Sequence, residues 1–118
     1  MSFYLYSGIA ALMYSLFAGA KYYSMTGEGL ISTQEAKNMI KSGKIKDVVD
    51  VRTRIEYNSG HYKGAKHIPV TEISPSKVKN LGPGVLVYCN TGQRARRAAE
   101  ILREYGVKDV FYIESRLT

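Results

Sequence analysis

The sequence holds a single cysteine, Cys89, followed by Asn90-Thr91-Gly92-Gln93-Arg94. A lone thiol does chemistry as its thiolate, and positive charge or unsatisfied N–H groups beside it favour that form. The neighbouring residues supply both. The apolar run Val85-Leu86-Val87-Tyr88 leads into Cys89 and follows the breaker Gly82-Pro83-Gly84, as a short buried strand would. Just beyond the loop, Ala95, Ala98, Ala99 and Leu102 fall at i, i+3, i+4, i+7, which is one apolar stripe of a helix. Arg96, Arg97, Glu100, Arg103 and Glu104 take the opposite face. Cys89 therefore stands where a strand passes into a helix, at the positive end of the helix dipole, where free N–H groups favour an anion. Arg94 adds a fixed charge. The competing reading is a small buried hydrophobe, the usual fate of a free cysteine. The position before Thr-Gly-Gln-Arg and a helix start favours chemistry.

The spacing narrows that chemistry. Four residues separate Cys89 from Arg94. A phosphate-cradling cysteine loop of the tyrosine-phosphatase kind has five. The shorter loop makes a tighter ring of N–H groups, suited to a terminal sulfur or a small oxyanion, and it argues against a phosphatase or an arsenate reductase. The N–H groups of Asn90, Thr91, Gly92, Gln93 and Arg94 are expected to surround the sulfur, with Gly92 allowing a bend that a side chain would obstruct.

Two stretches together resemble the single-domain rhodaneses, a family of sulfurtransferases. Asp50-Val51-Arg52, Glu56-Tyr57, Gly60-His61, Gly64-Ala65 and Ile68-Pro69 are similar to that family's first signature. The loop from Cys89 to Arg94, with Ala98, Ala99, Leu102 and Gly106 after it, is similar to the second. The resemblance covers roughly Leu30 to Ile113. It implies a rhodanese-like α/β domain in which the Cys89 thiolate takes a sulfur atom from thiosulfate or a related donor and holds it as a persulfide. A thiol or cyanide then accepts it, and no cofactor is called for. Cys89 and Arg94 are the catalytic candidates, Arg94 orienting the loop or the donor, and Asn90 to Gln93 form the substrate-binding loop. A membrane-tethered, non-catalytic binding module of the same fold is the alternative. Retention of the cysteine, with Arg94 at the enzyme spacing, argues against it. The chain departs from the family in carrying Tyr62 and Lys63 where an aliphatic residue and proline are usual. It also ends at Glu114-Ser115-Arg116-Leu117-Thr118, where the family commonly continues with a Gly-Gly pair and a helix. One flank of the sheet is therefore expected to be thinly covered, or covered by a partner.

The elements that must position the loop alternate between strand and helix, which predicts a mostly parallel central sheet with helices on both faces. Leu30-Ile31 reads as a first strand. Ser32 and Glu35 form a capping box ahead of a helix that buries Ala36, Met39 and Ile40 and stops at Gly43. Val48 to Val51 reads as a buried strand, and Asp50 within it needs a partner among backbone N–H groups or Arg52. Thr53, with Glu56 at the third helical position, caps a short helix to about Tyr57. His61 sits in the following turn. It could serve as a base near the thiol, but local packing and hydrogen bonding are the preferred reading. Lys66 to Ile68 is a short strand, Pro75 to Leu81 a short helix with Pro at its first position, and Asp109 to Ile113 the last strand.

Composition bounds the rest. At 118 residues the length suits one small domain, and one cysteine excludes an internal disulfide. The net charge of +7 is spread along the chain without a nucleic-acid motif, which favours small anionic ligands or an acidic membrane surface over nucleic acid. Two histidines and one cysteine, scattered, make no metal site. No charged side chain occurs from Met1 to Ala20, and the apolar segment extends past Lys21 to Met25. That is about the twenty residues a bilayer core requires. Tyr4 and Tyr6 at one end and Tyr22 and Tyr23 at the other match interfacial belts. Residues 1–27 are therefore expected to be one hydrophobic transmembrane helix and its linker, and residues 28–118 the α/β domain. Lys21, Lys37, Lys41, Lys44 and Lys46 lie at or beyond the C-terminal end of the span and no lysine or arginine precedes it, which places the domain on the cytoplasmic side. The alternative is a secretory signal cleaved at Ala18-Gly19-Ala20, giving a secreted or periplasmic domain, but no basic residue precedes the apolar run.

Overall fold

The computed structural model describes residues 28–117. The helix expected within residues 1–27 lies outside the described residues. Among the described residues, no helix is long and apolar enough to cross a membrane.

Four strands form one sheet in the order β2-β1-β3-β4. They are β1 (Asp47–Asp50), β2 (Lys66–His67), β3 (Val85–Tyr88) and β4 (Val110–Tyr112). All three neighbouring pairs run parallel, and the register sets Asp50 against Tyr88 and Val87 against Tyr112. The helices are α1 (Thr33–Lys41), α2 (Arg54–Asn58), α3 (Pro75–Val78) and α4 (Gln93–Glu104), with a 3-10 turn at Val70–Glu72.

Side chains alternate across a strand, so β3 and the residue after it sort onto two faces. Val85, Val87 and Cys89 pack with Ala95, Ala98, Ala99 and Leu102 of α4. Leu86 and Tyr88 pack on the other face with Ala36 and Met39 of α1. The same alternation places Val49 and Val51 with α4 and Val48 with α1. Cys89 thus points toward α4 because it continues the odd-numbered face of its strand.

The structure trims several expected elements. Leu30 makes one parallel bridge to Tyr112 rather than a strand with Ile31. Helix α1 starts at Thr33, so too few residues precede it to extend a ladder. Ser32 Oγ accepts from Glu35 N at 3.0 Å, one half of the expected box, whereas both halves form at Thr53 and Glu56. Helix α3 ends at Val78, and Leu81 N still donates to Val78 O at 3.0 Å in a turn ahead of Gly82-Pro83. After β4 the chain folds back over the α1 face. Leu117 is 2% exposed and joins the cluster containing Ile113 and Ala36, so this short segment covers part of the flank expected to be thin.

Candidate active site

The loop begins where β3 leaves the sheet. Gly92 has φ +97° and is the N-cap of α4. A glycine cap has no side chain to satisfy the first N–H groups of the helix. Here the sulfur takes that place: Gly92 N donates to Cys89 Sγ at 3.1 Å and Ala95 N, in the first turn of α4, donates to it at 3.4 Å. The sequence predicts donors within Asn90 to Arg94. Of those Gly92 donates, and the second donor, Ala95, lies one residue beyond. The sulfur therefore meets the helix N-terminus directly as well as the bend. Cys89 as a residue is 1% exposed, while Asn90, Thr91 and Gln93 are exposed and form the rim above it.

Gly92 cannot be replaced without cost. A Cβ there would lie 3.0 Å from Glu114 Cα and 3.1 Å from Glu114 Cγ, at a φ that L-residues seldom adopt. Gly92→Ala is expected to destabilise the domain by about 1–3 kcal/mol and to turn the Gly92 N–H away from the sulfur. Urea denaturation measures the first effect.

Arg94 does not stand free beside the thiol. Its Nη1 donates to Glu56 Oε1 at 2.6 Å and its Nη2 to Glu56 Oε2 at 3.0 Å. Asn90 Nδ2 donates to Glu56 Oε2 at 2.6 Å. The Arg94 guanidinium, followed by the Thr53 backbone N–H, holds the Glu56 carboxyl far below the usual carboxylate range. Glu56 in turn raises Arg94, and the Cys89 thiol beside it adds a smaller contribution in the same direction. In the sequence Glu56 is a cap and part of the rhodanese-like signature, with no sign of a contact to the cysteine loop. Its link to the loop joins residues 34 and 38 positions apart, and no local pattern carries that information.

The remaining candidates gather elsewhere. Asp50 and Arg52 are 0% and 2% exposed. Arg52 Nε donates to both Asp50 oxygens at 3.1 and 3.0 Å, Arg52 Nη2 donates to Oδ2 at 2.7 Å, and Arg52 N donates to Oδ1 at 2.9 Å. Arg52 Nη2 also donates to Gly60 O at 2.6 Å, which ties the pair to the turn after α2. Burial alone would raise the Asp50 carboxyl, but the Arg52 side chain and backbone N–H overcome it and hold it low. Both expected partners of Asp50 are therefore used at once, and the pair is structural. His61 stacks on Tyr57 with ring centroids 3.7 Å apart, and its Nδ1 lies 2.9 Å from Tyr57 O, which makes that nitrogen the donor. This is the local packing preferred from the sequence.

A hollow of about 240 Å³ borders the loop at Thr91, Gly92 and Gln93 and is closed by Arg96, Tyr112 and Glu114. A separate cavity of about 450 Å³ lies apart from the loop, between Leu30–Thr33 and Glu114–Ser115.

Comparison with known proteins agrees with this geometry. The rhodanese-like domain profile matches residues 32–115. The putative sulfur carrier protein YrkF of Bacillus subtilis is 29% identical over 84 residues, covering 70% of this chain and 45% of that protein. The thiosulfate sulfurtransferase PspE of Escherichia coli is 37% identical over 65 residues, covering 52% of this chain and 62% of that protein. The chain thus spans about half the length of the curated relatives it matches. A rhodanese-like domain protein of Staphylococcus aureus superposes with a TM-score of 0.61 at 30% identity, covering 75% of this chain and 86% of that one. The profile takes in both the Asp50-to-Pro69 stretch and the cysteine loop, and by that match the chain belongs to the rhodanese-like domain family.

Proposed function

We propose that the protein is a rhodanese-type sulfurtransferase. The Cys89 thiolate attacks the outer sulfur of thiosulfate or another sulfane donor. A bond forms between Cys89 Sγ and that sulfur, the donor's S–S bond breaks, and sulfite or a thiol leaves with the electron pair. The outer sulfur of the Cys89 persulfide is then attacked by cyanide or a thiol, and its bond to Sγ breaks to restore the thiolate. Two half-reactions, one on the thiolate form and one on the persulfide form, give ping-pong kinetics. The observation that carries the reading is the pair of N–H groups from Gly92 and Ala95 aimed at Sγ, since donors fixed in place stabilise charge on sulfur without reorganising. The net charge of +7 favours encounter with an anionic donor. Relatives named for thiosulfate sulfur transfer and for sulfur carriage support it. The purified full chain, given thiosulfate and cyanide, is expected to release thiocyanate.

A non-catalytic binding module is the second reading, and the 1% exposure of Cys89 is the observation that favours it. A folded chain that releases no thiocyanate, and whose cysteine resists alkylation, would establish this reading over the first.

The apolar run from Phe3 to Met25 supports attachment to a membrane as a single-pass protein with its domain in the cytoplasm. The full chain is expected to stay in the membrane pellet through an alkaline carbonate wash. A mature chain beginning at Lys21 would contradict this and favour a cleaved signal.

A further inference from the structure

We propose that Glu56 is a positioning residue for the cysteine loop, and that Arg94 serves the loop rather than the donor; this rests on the sulfur-transfer reading. One carboxylate takes five donors. Oε1 accepts from Thr53 N at 3.1 Å, Thr53 Oγ1 at 2.9 Å and Arg94 Nη1 at 2.6 Å. Oε2 accepts from Asn90 Nδ2 at 2.6 Å and Arg94 Nη2 at 3.0 Å. A carboxylate has about four lone-pair sites, so its capacity is filled.

The geometry makes a brace. Asn90 follows the cysteine and Arg94 precedes Ala95, so these two residues flank the segment that carries the Gly92 N–H. Both are tied to one point on α2, and α2 is itself fixed by the Thr53 cap. With both flanks held, Gly92 N and Ala95 N stay aimed at Sγ. The pairing also engages both terminal nitrogens of Arg94 with a carboxylate. A donor anion approaching the rim therefore meets an ion pair rather than an unpaired cation, and recognition of the sulfur falls to the main-chain N–H groups.

Glu56→Gln separates the brace from the cap. Glutamine is accepted at the third position of a capping box, but its single carbonyl oxygen cannot serve Thr53, Asn90 and the Arg94 fork together. Two measurements on the full chain read the result. The first is kcat and KM for thiosulfate in cyanolysis. The second is the pH profile of Cys89 alkylation by iodoacetamide, which requires no sulfur transfer. Glu56→Gln is expected to lower kcat about 10- to 100-fold, since small misplacements of reacting groups have effects of that size, while KM does not rise. The alkylation profile is expected to move to lower pH, because the Arg94 charge beside the thiol is no longer neutralised. Glu56→Asp, which keeps the charge, should restore the profile and only part of kcat. Asn90→Ala leaves the cap and the ion pair intact and should lower kcat by a smaller factor. It carries the test if Glu56→Gln does not fold. Wild-type kcat with an unmoved alkylation profile in Glu56→Gln, or wild-type kcat in Asn90→Ala, would overturn the proposal. So would a raised KM with unchanged kcat, which would assign Arg94 and Glu56 to donor binding. If the wild-type chain transfers no sulfur, the sulfur-transfer reading fails and the alkylation profile alone decides the role of Glu56.

Discussion

Cys89→Ser is expected to lower cyanolysis by at least about a thousandfold while leaving the domain folded. A serine hydroxyl fits the same site between the N–H groups of Gly92 and Ala95, so the packing against α4 survives. What is lost is the chemistry. The hydroxyl is far weaker as a nucleophile at neutral pH, and an oxygen at this position cannot carry the transferred sulfur as a persulfide. The measurement is thiocyanate release by wild type and variant at matched concentration, with a thermal melt on each to show that the fold is kept. The variant also separates the sulfur's two roles. The Ala95 N–H can still be capped by an oxygen acceptor, so a large loss of stability would mean that Cys89 matters to the helix start more than to transfer.

The second large effect is on stability. Asp50→Ala is expected to destabilise the domain by about 3–5 kcal/mol, because it leaves a guanidinium in the interior with its charge uncompensated. Arg52 is 2% exposed, and apart from Asp50 its side chain keeps the Gly60 carbonyl and the face of the Tyr88 ring, neither of which carries a formal negative charge. For a domain whose total stability is of order 5–15 kcal/mol, that is a large share of the whole. Removing both charges with residues of similar volume, as in Asp50→Leu with Arg52→Met, should recover most of the loss. The cost lies in the orphaned charge, and a well-packed apolar pair has none. Urea midpoints with unchanged slopes measure the two variants. The same pair sets an acid dependence. The folded Asp50 carboxyl is held below its ordinary value. Its contribution is therefore present in full above the unfolded value, near about pH 4, and is lost as pH falls through the lower folded value. Asp50→Ala should remove part of the acid sensitivity seen in the wild-type melt.

Most of the scaffold could be read from local pattern. The stripe of Ala95, Ala98, Ala99 and Leu102 gives α4 and its buried face, and alternation in Val85 to Tyr88 gives the side on which Cys89 lies. An acid inside an apolar strand demands a partner, and Arg52 two residues later is the nearest one, so the Asp50 pair was also legible. The Thr53 cap followed from its spacing to Glu56. What the sequence withheld was the second half of the Glu56 carboxylate's hydrogen bonding. A cap leaves part of its acceptor capacity unused, and the partners that fill it, Asn90 and Arg94, arrive through the fold of the sheet. Periodicity cannot report a contact of that separation. Ala95 was missed as a donor for a related reason: the expectation stopped at the end of the loop, while the helix's own first turn supplies the N–H. The 3-10 turn at Val70–Glu72 is too short to carry any period.

The central claim is that Cys89 holds a transferable sulfur. Intact mass of the full chain, recorded after brief exposure to thiosulfate and removal of excess donor, tests it most directly. The account predicts a species heavier by one sulfur atom, localised to Cys89 by digestion, absent in Cys89→Ser and discharged by cyanide. A folded wild-type chain that gains no such mass, under conditions where the same thiol reacts with iodoacetamide, would contradict it.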